Sequence, residues 1–121
     1  MRTIKVKDYS EIPKDFTGIV EYPDGSKYWY LNGKIHRDND FPAIELSDGT
    51  KQWFLNGELH RDNDLPAREL SDGTKEWWLN GKLHRENGPA CEYSNGTRIW
   101  YYCDKQYKSF EEVQKVHQER I

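Results

Sequence analysis

The segment LNGKIHRDND at Leu31–Asp40 returns as LNGELHRDND at Leu55–Asp64 and as LNGKLHREN at Leu79–Asn87. An internal repeat of this length indicates a stack of supersecondary units, each of which buries its apolar side chains against its neighbours. The last copy is one residue shorter, because RDNDLPA becomes RENGPA. A tryptophan marks the same position in four successive units, at spacings of 24, 24 and 23 residues: Trp29, Trp53, Trp77 and Trp100.

Two kinds of turn dipeptide recur in each unit, and both are typical of two-residue hairpin turns, whose central residues need positive φ. The segments between them are short and rich in aromatic and branched residues, which is the composition of strands. The Pro-Ala pair after each acidic loop is expected to start the next strand. The dipeptides are Asn32-Gly33, Asn56-Gly57 and Asn80-Gly81 for the first kind, and Asp24-Gly25, Asp48-Gly49, Asp72-Gly73 and Asn95-Gly96 for the second.

These signals predict a mainly β fold, a single-layer antiparallel β-meander of about four hairpin repeats of 23–24 residues with a short C-terminal helix. The predicted organisation is an N-terminal cap segment at residues 1–17, the hairpin repeats at 18–107 and a capping helix at 108–121. No helical period interrupts the repeats.

Both ends of the chain are expected to cover the edges of this sheet, because an open edge invites aggregation. Ile4 and Val6 predict an extra strand beside the first edge. Ser109 and Glu112 form the pattern of a capping box at the start of the C-terminal helix. That helix would present one apolar face, made of Phe110, Val113 and Val116.

Turn register assigns side chains to the two faces of the sheet. A two-residue turn at Asn32-Gly33 pairs Trp29 with His36, and one at Asp48-Gly49 pairs Ile44 with Trp53. The predicted tryptophan face therefore also carries the histidines, Ile44 and Leu46, and both faces are half apolar. The opposite face is expected to carry the alanines, a row of second aromatics, Tyr30, Phe54, Trp78 and Tyr101, and the arginines Arg37, Arg61 and Arg85.

We interpret the invariant tryptophan position as scaffold and the second aromatics as an interaction surface, since an aromatic but variable row mixed with Arg and Glu is typical of interfaces. Ordinary packing under the C-terminal helix is the alternative. The predicted partner-binding residues are Tyr30, Phe54, Trp78 and Tyr101, with Arg37, Arg61 and Arg85 at the margin. The predicted structural residues are the four tryptophans with Gly33, Gly57, Gly81, His36, His60 and His84.

The three repeated histidines, His36, His60 and His84, do not form a shared metal site. Equivalent positions lie two strands apart, about 10 Å, whereas each zinc ligand must lie about 2 Å from the ion. We expect each histidine to pack across from its tryptophan and to bond a loop carbonyl or carboxylate. The Asp-Asn-Asp segment also fails the calcium-loop pattern, because Ala43 and Gly49 stand where that pattern needs Gly and Glu. We therefore expect no metal and no cofactor.

The arginines have two interpretations. Each could make a local ion pair or stack on a neighbouring aromatic ring. Alternatively, the three could form a row that grips phosphates or an acidic partner. No segment matches a nucleophile elbow, a phosphate-cradling glycine loop or a supported Cys-His pair, and catalytic residues seldom come in three equal copies. We therefore expect a protein that is not an enzyme.

The composition limits the classes of protein to which this chain can belong. The net charge of -3 and the sequence pI of about 5.8 argue against a nonspecific binder of polyanions. The 5 Trp, 8 Tyr and 4 Phe argue against disorder, because each aromatic buries a large area. Without an apolar leader or a long apolar run, we expect a soluble cytoplasmic protein. Cys91 and Cys103 fall in adjacent predicted strands, so a disulfide is geometrically possible, although two thiols in such a chain are more often free and reduced.

The segment YPDGSKYWYLNGKIHR at residues 22–37 resembles a MORN repeat, with its turn glycine, aromatic strand residues and N-G-K-x-H run. YWYLNG is two residues shorter than the usual Tyr-x-Gly-x-Trp core, and Arg37 replaces the glycine after the histidine. The units are more similar to the variant WYxNGKxHRxDGPA, familiar from phage and other viral hypothetical proteins. The resemblance to MORN repeats implies a curved β-meander that contacts proteins or, in some members, anionic lipid.

From these observations we expect a non-enzymatic protein-binding module. Because the units resemble the viral variant, we hypothesise that it is a small phage protein. Our hypothesis for its action is binding of a host protein in the host cytoplasm, for instance a defence or regulatory factor. One alternative is binding of nucleotides or single-stranded nucleic acid, with bases stacked on aromatics and phosphates held by arginine. Contact with anionic lipid is a further alternative, which the net charge disfavours.

Overall fold

The computed structural model describes residues 1–121, which form fifteen short strands, one 3-10 turn at Tyr9–Glu11 and one helix, α1, at Phe110–Arg120. The strands are β1 Thr3–Lys5, β2 Gly18–Glu21, β3 Lys27–Leu31, β4 Lys34–Ile35, β5 Ile44–Glu45, β6 Lys51–Gln52, β7 Phe54–Leu55, β8 Glu58–Leu59, β9 Arg68–Glu69, β10 Lys75–Glu76, β11 Trp78–Leu79, β12 Lys82–Leu83, β13 Cys91–Glu92, β14 Arg98–Tyr102 and β15 Lys105–Tyr107.

Eleven of the strands form one sheet in the order β1-β2-β3-β5-β6-β9-β10-β13-β14-β15, with β4 paired to β3. The pairs are antiparallel except that β1 runs parallel to β2. Two small hairpins, β7-β8 and β11-β12, stand outside this path. The predicted mainly β meander of hairpins with a C-terminal helix is therefore confirmed.

The long strand of each middle unit is interrupted at its tryptophan. In the second unit, β6 ends before Trp53 and β7 begins after it. β6 pairs with β5 and β9 in the main sheet, whereas β7 pairs only with β8. Backbone bonds still join successive hairpins, since the N–H of Gly57 donates to the carbonyl of Ile35 at 2.8 Å. Neighbouring units are thus connected on both sides of each tryptophan.

The Asn-Gly turns have the predicted geometry. Asn32 and Gly33 both have positive φ, 50° and 82°, and the flanking residues pair as Tyr30 with Ile35. These are the central angles of a two-residue type I′ turn, which suits the twist of the flanking strands. Asn56-Gly57 has the same angles, and Asn80-Gly81 has 50° and 77°.

The Asp-Gly turns differ from the prediction. Ile44 pairs with Gln52, not with Trp53, and the backbone N–H of Leu46 donates to the carbonyl of Thr50 at 2.9 Å. The loop therefore holds three residues, with Gly49 at φ 96° as its last member, which is the arrangement of a type I turn followed by a glycine bulge. The extra residue shifts the register by one and moves every side chain of β5 to the other face.

The corrected register gives the sheet one charged face. Oppositely charged residues alternate across eight neighbouring strands of the sheet, each directly opposite the next. The prediction that Ile44 lies on the tryptophan face was therefore wrong: Ile44 pairs with Tyr28 and Gln52, whereas Trp29 shares the face of Lys27. The charged row is Glu21, Lys27, Glu45, Lys51, Glu69, Lys75, Glu92 and Arg98, and the opposite row is Tyr28, Ile44, Gln52, Arg68, Glu76, Cys91 and Ile99.

The ends of the chain close the stack. At the N-terminal end, β1 covers the first sheet edge, and Val6, Phe16 and Val20 form a small buried cluster. At the C-terminal end, Ser109 caps α1 by accepting the N–H of Glu112 at 3.3 Å. Val113 is fully buried, whereas Phe110, predicted to share its face, is 36% exposed.

Candidate functional site

Each repeated arginine lies over the tryptophan ring of its own unit. The guanidinium carbons of Arg37, Arg61 and Arg85 lie 3.8 Å from the ring centres of Trp29, Trp53 and Trp77. The prediction that the arginines share a face with the second aromatics was therefore wrong. The strand ends before the arginine, so simple alternation no longer fixes the direction of its side chain.

The same arginines connect neighbouring units. Arg61 donates from Nη1 to the carbonyl of Pro66 at 3.1 Å in its own loop. From Nε and Nη2 it donates to both carboxylate oxygens of Asp40 in the preceding loop, at 2.9 and 3.3 Å. Arg85 contacts Pro89 and Asp64 in the same way. Such planar, paired contacts suit arginine far better than lysine.

The first arginine lacks this carboxylate. Arg37 donates to the carbonyl of Pro42 at 3.0 Å and stacks on Phe41 as well as on its tryptophan. The position 24 residues before Asp40 is held by Phe16, which cannot accept a hydrogen bond. The Asp-Arg contact therefore starts with the second unit.

The repeated histidines also connect units. His36 donates from Nε2 to Asp38 at 2.9 Å, and its Nδ1 accepts the backbone N–H of Asn56 in the next hairpin at 2.9 Å. Because a backbone N–H can only donate, Nδ1 holds the lone pair and Nε2 the proton. His60 repeats both contacts with Asp62 and Asn80. His84 makes them with Glu86 at 3.3 Å and with the N–H of Cys103 at 2.9 Å.

The tryptophan indoles make a third connection between units. Trp53 and Trp77 donate from Nε1 to the carbonyls of Asp40 and Asp64, at 3.1 and 3.0 Å. Trp100 has a buried Nε1 with no hydrogen-bond partner. The missing residue in RENGPA falls in the loop that would supply its acceptor, and this accounts for the unpaired donor.

The Asp-Gly turns form a separate chain of contacts at the other end of the units. Asp48 accepts the backbone N–H of Thr50 at 2.9 Å and lies 3.4 Å from the hydroxyl of Ser71 in the next turn. These bonds, the one from the Thr50 N–H above all, hold the pKa of Asp48 below its usual value. The pKa values of Asp24 and Asp72 are lowered by the equivalent contacts.

The second aromatics lie on the opposite side of the sheet from the arginines, half-buried and beside Ile44, Arg68 and Glu76. Tyr30 meets Phe16 edge to face at 6.4 Å between ring centres. Trp78 donates from Nε1 to Glu76 at 2.9 Å, and Glu76 also accepts from Arg68 at 2.8 Å. We call Tyr30, Phe54, Trp78 and Tyr101 the second-aromatic row.

Three open crevices lie on the tryptophan face, one per unit, and the repeat pattern alone did not predict them. Each is lined by the tryptophan, second aromatic, leucine and histidine of one unit. One acidic loop borders the first crevice, and two border each of the others. The sequence feature that could have indicated these crevices is the recurrence of a leucine two residues after a tryptophan, at Leu55 and Leu79. The first crevice contains Trp29, Leu31 and His36, the second Trp53, Leu55 and His60, and the third Trp77, Leu79 and His84.

In the fourth unit, α1 occupies the corresponding position. Tyr102 replaces the leucine, and its hydroxyl lies 3.0 Å from Nδ1 of His117 on the helix. Nε2 of His117 lies 3.7 Å from a carboxylate oxygen of Glu86 in the third acidic loop. The guanidinium of Arg120 lies over the Tyr102 ring, 5.0 Å from its centre. The helix therefore brings two basic side chains to the fourth position.

Neither cysteine forms a disulfide. Cys91 is buried, and burial raises the pKa of its thiol to about 11. Cys103 is exposed, with its sulfur 3.6 Å from Nδ1 of His84. That nitrogen already accepts the backbone N–H of Cys103, which leaves it poorly placed to take a proton from the thiol.

No group of three or more His, Cys, Asp or Glu side chains is arranged to hold a metal ion. The length and polarity of the helices do not suit a crossing of the lipid bilayer.

Comparisons with known proteins give one partial similarity. Over 38 residues the chain is 48% identical to an uncharacterized protein of Acanthamoeba polyphaga mimivirus. The match covers 31% of this chain and 10% of the viral protein, so the chain corresponds to only a small part of that relative. No family model matches the chain, and no solved structure does.

Proposed function

We propose that the chain is a non-enzymatic protein-binding module built from MORN-like repeats. The observation that carries this proposal is the difference between the two sides of the sheet. One side has its charges alternating from strand to strand, whereas the other presents the half-buried second-aromatic row. Partly exposed aromatics at regular spacing supply the large contact areas that protein interfaces use.

In this proposal the chain is a small viral protein, specifically a phage protein. It binds a host protein in the cytoplasm and modulates or inhibits that protein. The resemblance of the units to a repeat of phage and viral proteins supports the viral origin. The similarity to a mimivirus protein over 38 residues agrees with it. A defence or regulatory factor is the target class we propose.

Phe54 and Trp78 lie at the middle of the row and provide the direct test. The tagged chain and its Phe54→Ala and Trp78→Ala variants are used to capture proteins from host lysate, read by quantitative mass spectrometry. We expect one protein to be enriched by the parent chain and lost from both variants, while their far-UV circular dichroism is retained. Leu65→Ala, which removes a 37%-exposed side chain of an acidic loop, is the matched control and should retain the partner.

Two outcomes would contradict the proposal. A partner retained by both variants would remove the second-aromatic row from the interface. Collapse of the circular dichroism signal in both variants would assign these aromatics to the core. Binding of nucleic acid through the arginines is less favoured, because Arg61 and Arg85 already bond both oxygens of a carboxylate. Retention of single-stranded nucleic acid at low salt in a filter-binding assay would favour that alternative.

A further inference from the structure

We propose that the second and third crevices bind a basic helical segment of a protein partner, in the way that α1 occupies the fourth position. The segment would present lysine or arginine side chains seven residues apart on one face. This inference rests on the proposed protein-binding function and adds the chemistry of one partner segment.

The charges of the crevices favour a cationic ligand. Arg61 is neutralised by its bidentate contact with Asp40. Arg37, which also lines the second crevice, lies 3.5 Å from a carboxylate oxygen of Glu45. Asp38 and Asp62 have no such arginine partner. Their side chains are 72% and 70% exposed, and each accepts a hydrogen bond from a neutral histidine. Asp62 lines both the second and the third crevice. The first two acidic loops therefore each offer one carboxylate that no lysine or arginine of the chain neutralises.

The chain itself shows how such a position is filled. In the fourth unit, His117 reaches Glu86, the residue that replaces Asp62 in the third loop, and Arg120 covers the Tyr102 ring. In the open crevices the floor residue is Leu55 or Leu79, which has no hydroxyl group. A long basic side chain suits that floor, because its methylene stem can pack on the leucine while its charged end reaches the carboxylate.

The spacing of the units fits a helix. Successive crevices belong to units two strands apart, about 10 Å. Seven residues of α-helix advance about 10.5 Å and return to nearly the same face. One helix lying along the units would therefore place two basic side chains in neighbouring crevices at once.

The experiment uses the full chain and two fluorescein-labelled helical peptides of identical composition. One carries two arginines seven residues apart on one face, and the other carries them five residues apart on different faces. Binding is followed by fluorescence anisotropy. Asp62→Asn is the test variant, because an asparagine oxygen can still accept from His60. Asp48→Asn is the control, because it removes the same charge from the opposite end of the units, and Asn95 already fills the equivalent turn position.

We expect the first peptide to bind about tenfold more tightly than the second, since it engages two partly exposed pairs at once. Asp62→Asn should weaken binding about threefold to fivefold, and Asp48→Asn should leave it unchanged. Equal binding of the two peptides, equal effects of the two variants, or no binding at all would overturn the inference.

Tyr101 belongs to the second-aromatic row and lines none of the three crevices. Loss of peptide binding in Tyr101→Ala without loss in Asp62→Asn would also overturn the inference, by moving the peptide to the second-aromatic row. That last result would still support a protein-binding module. Failure of the proposed function is judged separately, by the capture experiment with the Phe54 and Trp78 variants.

Discussion

Arg61 donates to both carboxylate oxygens of Asp40, a residue 21 positions earlier in the chain, at 2.9 and 3.3 Å. Arg85 makes the same contact with Asp64, at the same separation. The contact joins each acidic loop to the next unit, while the guanidinium also stacks on the tryptophan of its own unit. The His-Arg pair that recurs in the sequence is therefore a connector between units.

Replacing the repeated arginines by lysine should lower the stability of the fold, and by different amounts at Arg61 and Arg37. Lysine keeps the charge but can neither stack as a plane nor bond two oxygens at fixed spacing. Because Arg37 has no carboxylate from a preceding loop, Arg61→Lys should lower the free energy of unfolding by about 1 kcal/mol more than Arg37→Lys. Urea unfolding followed by circular dichroism measures both. Equal losses would mean that the Asp40 contact contributes nothing.

Two tryptophans should differ in their response to phenylalanine. Trp53→Phe removes a donor that bonds the Asp40 carbonyl, whereas Trp100→Phe removes a buried donor that has no partner. A buried unpaired donor is itself destabilising. We therefore expect Trp53→Phe to be about 1–2 kcal/mol more destabilising than Trp100→Phe. The urea midpoints test this order, and a larger loss in Trp100→Phe would contradict it.

Acid should weaken the fold through the Asp-Gly turns. Hydrogen bonds in the folded chain lower the pKa of Asp48 and Asp72 from their usual value of 3.8. The stability that these ionised groups add is present above that value and is lost as the pH falls through the lowered folded-state pKa. Unfolding midpoints in urea should therefore decrease between about pH 5 and pH 2.

The matched variant for this prediction is Asp48→Asn combined with Asp72→Asn. Asparagine keeps the turn bond, as Asn95 does with the N–H of Thr97 at 2.9 Å, but it does not titrate in this range. The double variant should show a shallower loss of stability with acid. An unchanged slope would assign acid sensitivity to other carboxylates.

The two thiols should react differently with iodoacetamide. Cys103 is exposed, whereas Cys91 is buried with its pKa raised to about 11, so only Cys103 has an accessible thiol. Mass spectrometry of the peptides should find one labelled cysteine in the folded chain and two in urea. Labelling of Cys91 in the folded chain would mean that the sheet opens locally at β13.

The sequence predicted a hairpin correctly where its turn residues permit only one turn length. Two adjacent residues of positive φ, as at Asn32-Gly33, select a two-residue turn and hence its register. Asp48-Gly49 was ambiguous, because a three-residue loop also ends on a glycine of positive φ. The side chain of Asp48 bonds the N–H of Thr50 and selects the longer loop. The misplaced register of β5 follows from that one difference.

The connections between units could not be read from strand alternation. The strand ends before Arg37, and the side chain then returns over Trp29. The contact between Arg61 and Asp40 spans 21 residues, so no local pattern reveals it. The crevices depend on both effects, because they form only where one loop stands beside the tryptophan and leucine of the next unit.

A double-mutant cycle tests most directly whether the acidic loops join neighbouring units. Asp40→Ala, Arg61→Ala and the double variant are unfolded in urea, beside the same cycle for Asp64 and Arg61, which share one loop but do not bond each other. A coupling free energy of about 1 kcal/mol for Asp40 with Arg61, and close to zero for Asp64 with Arg61, is the predicted result. No coupling between Asp40 and Arg61, or equal coupling in both cycles, would contradict the account.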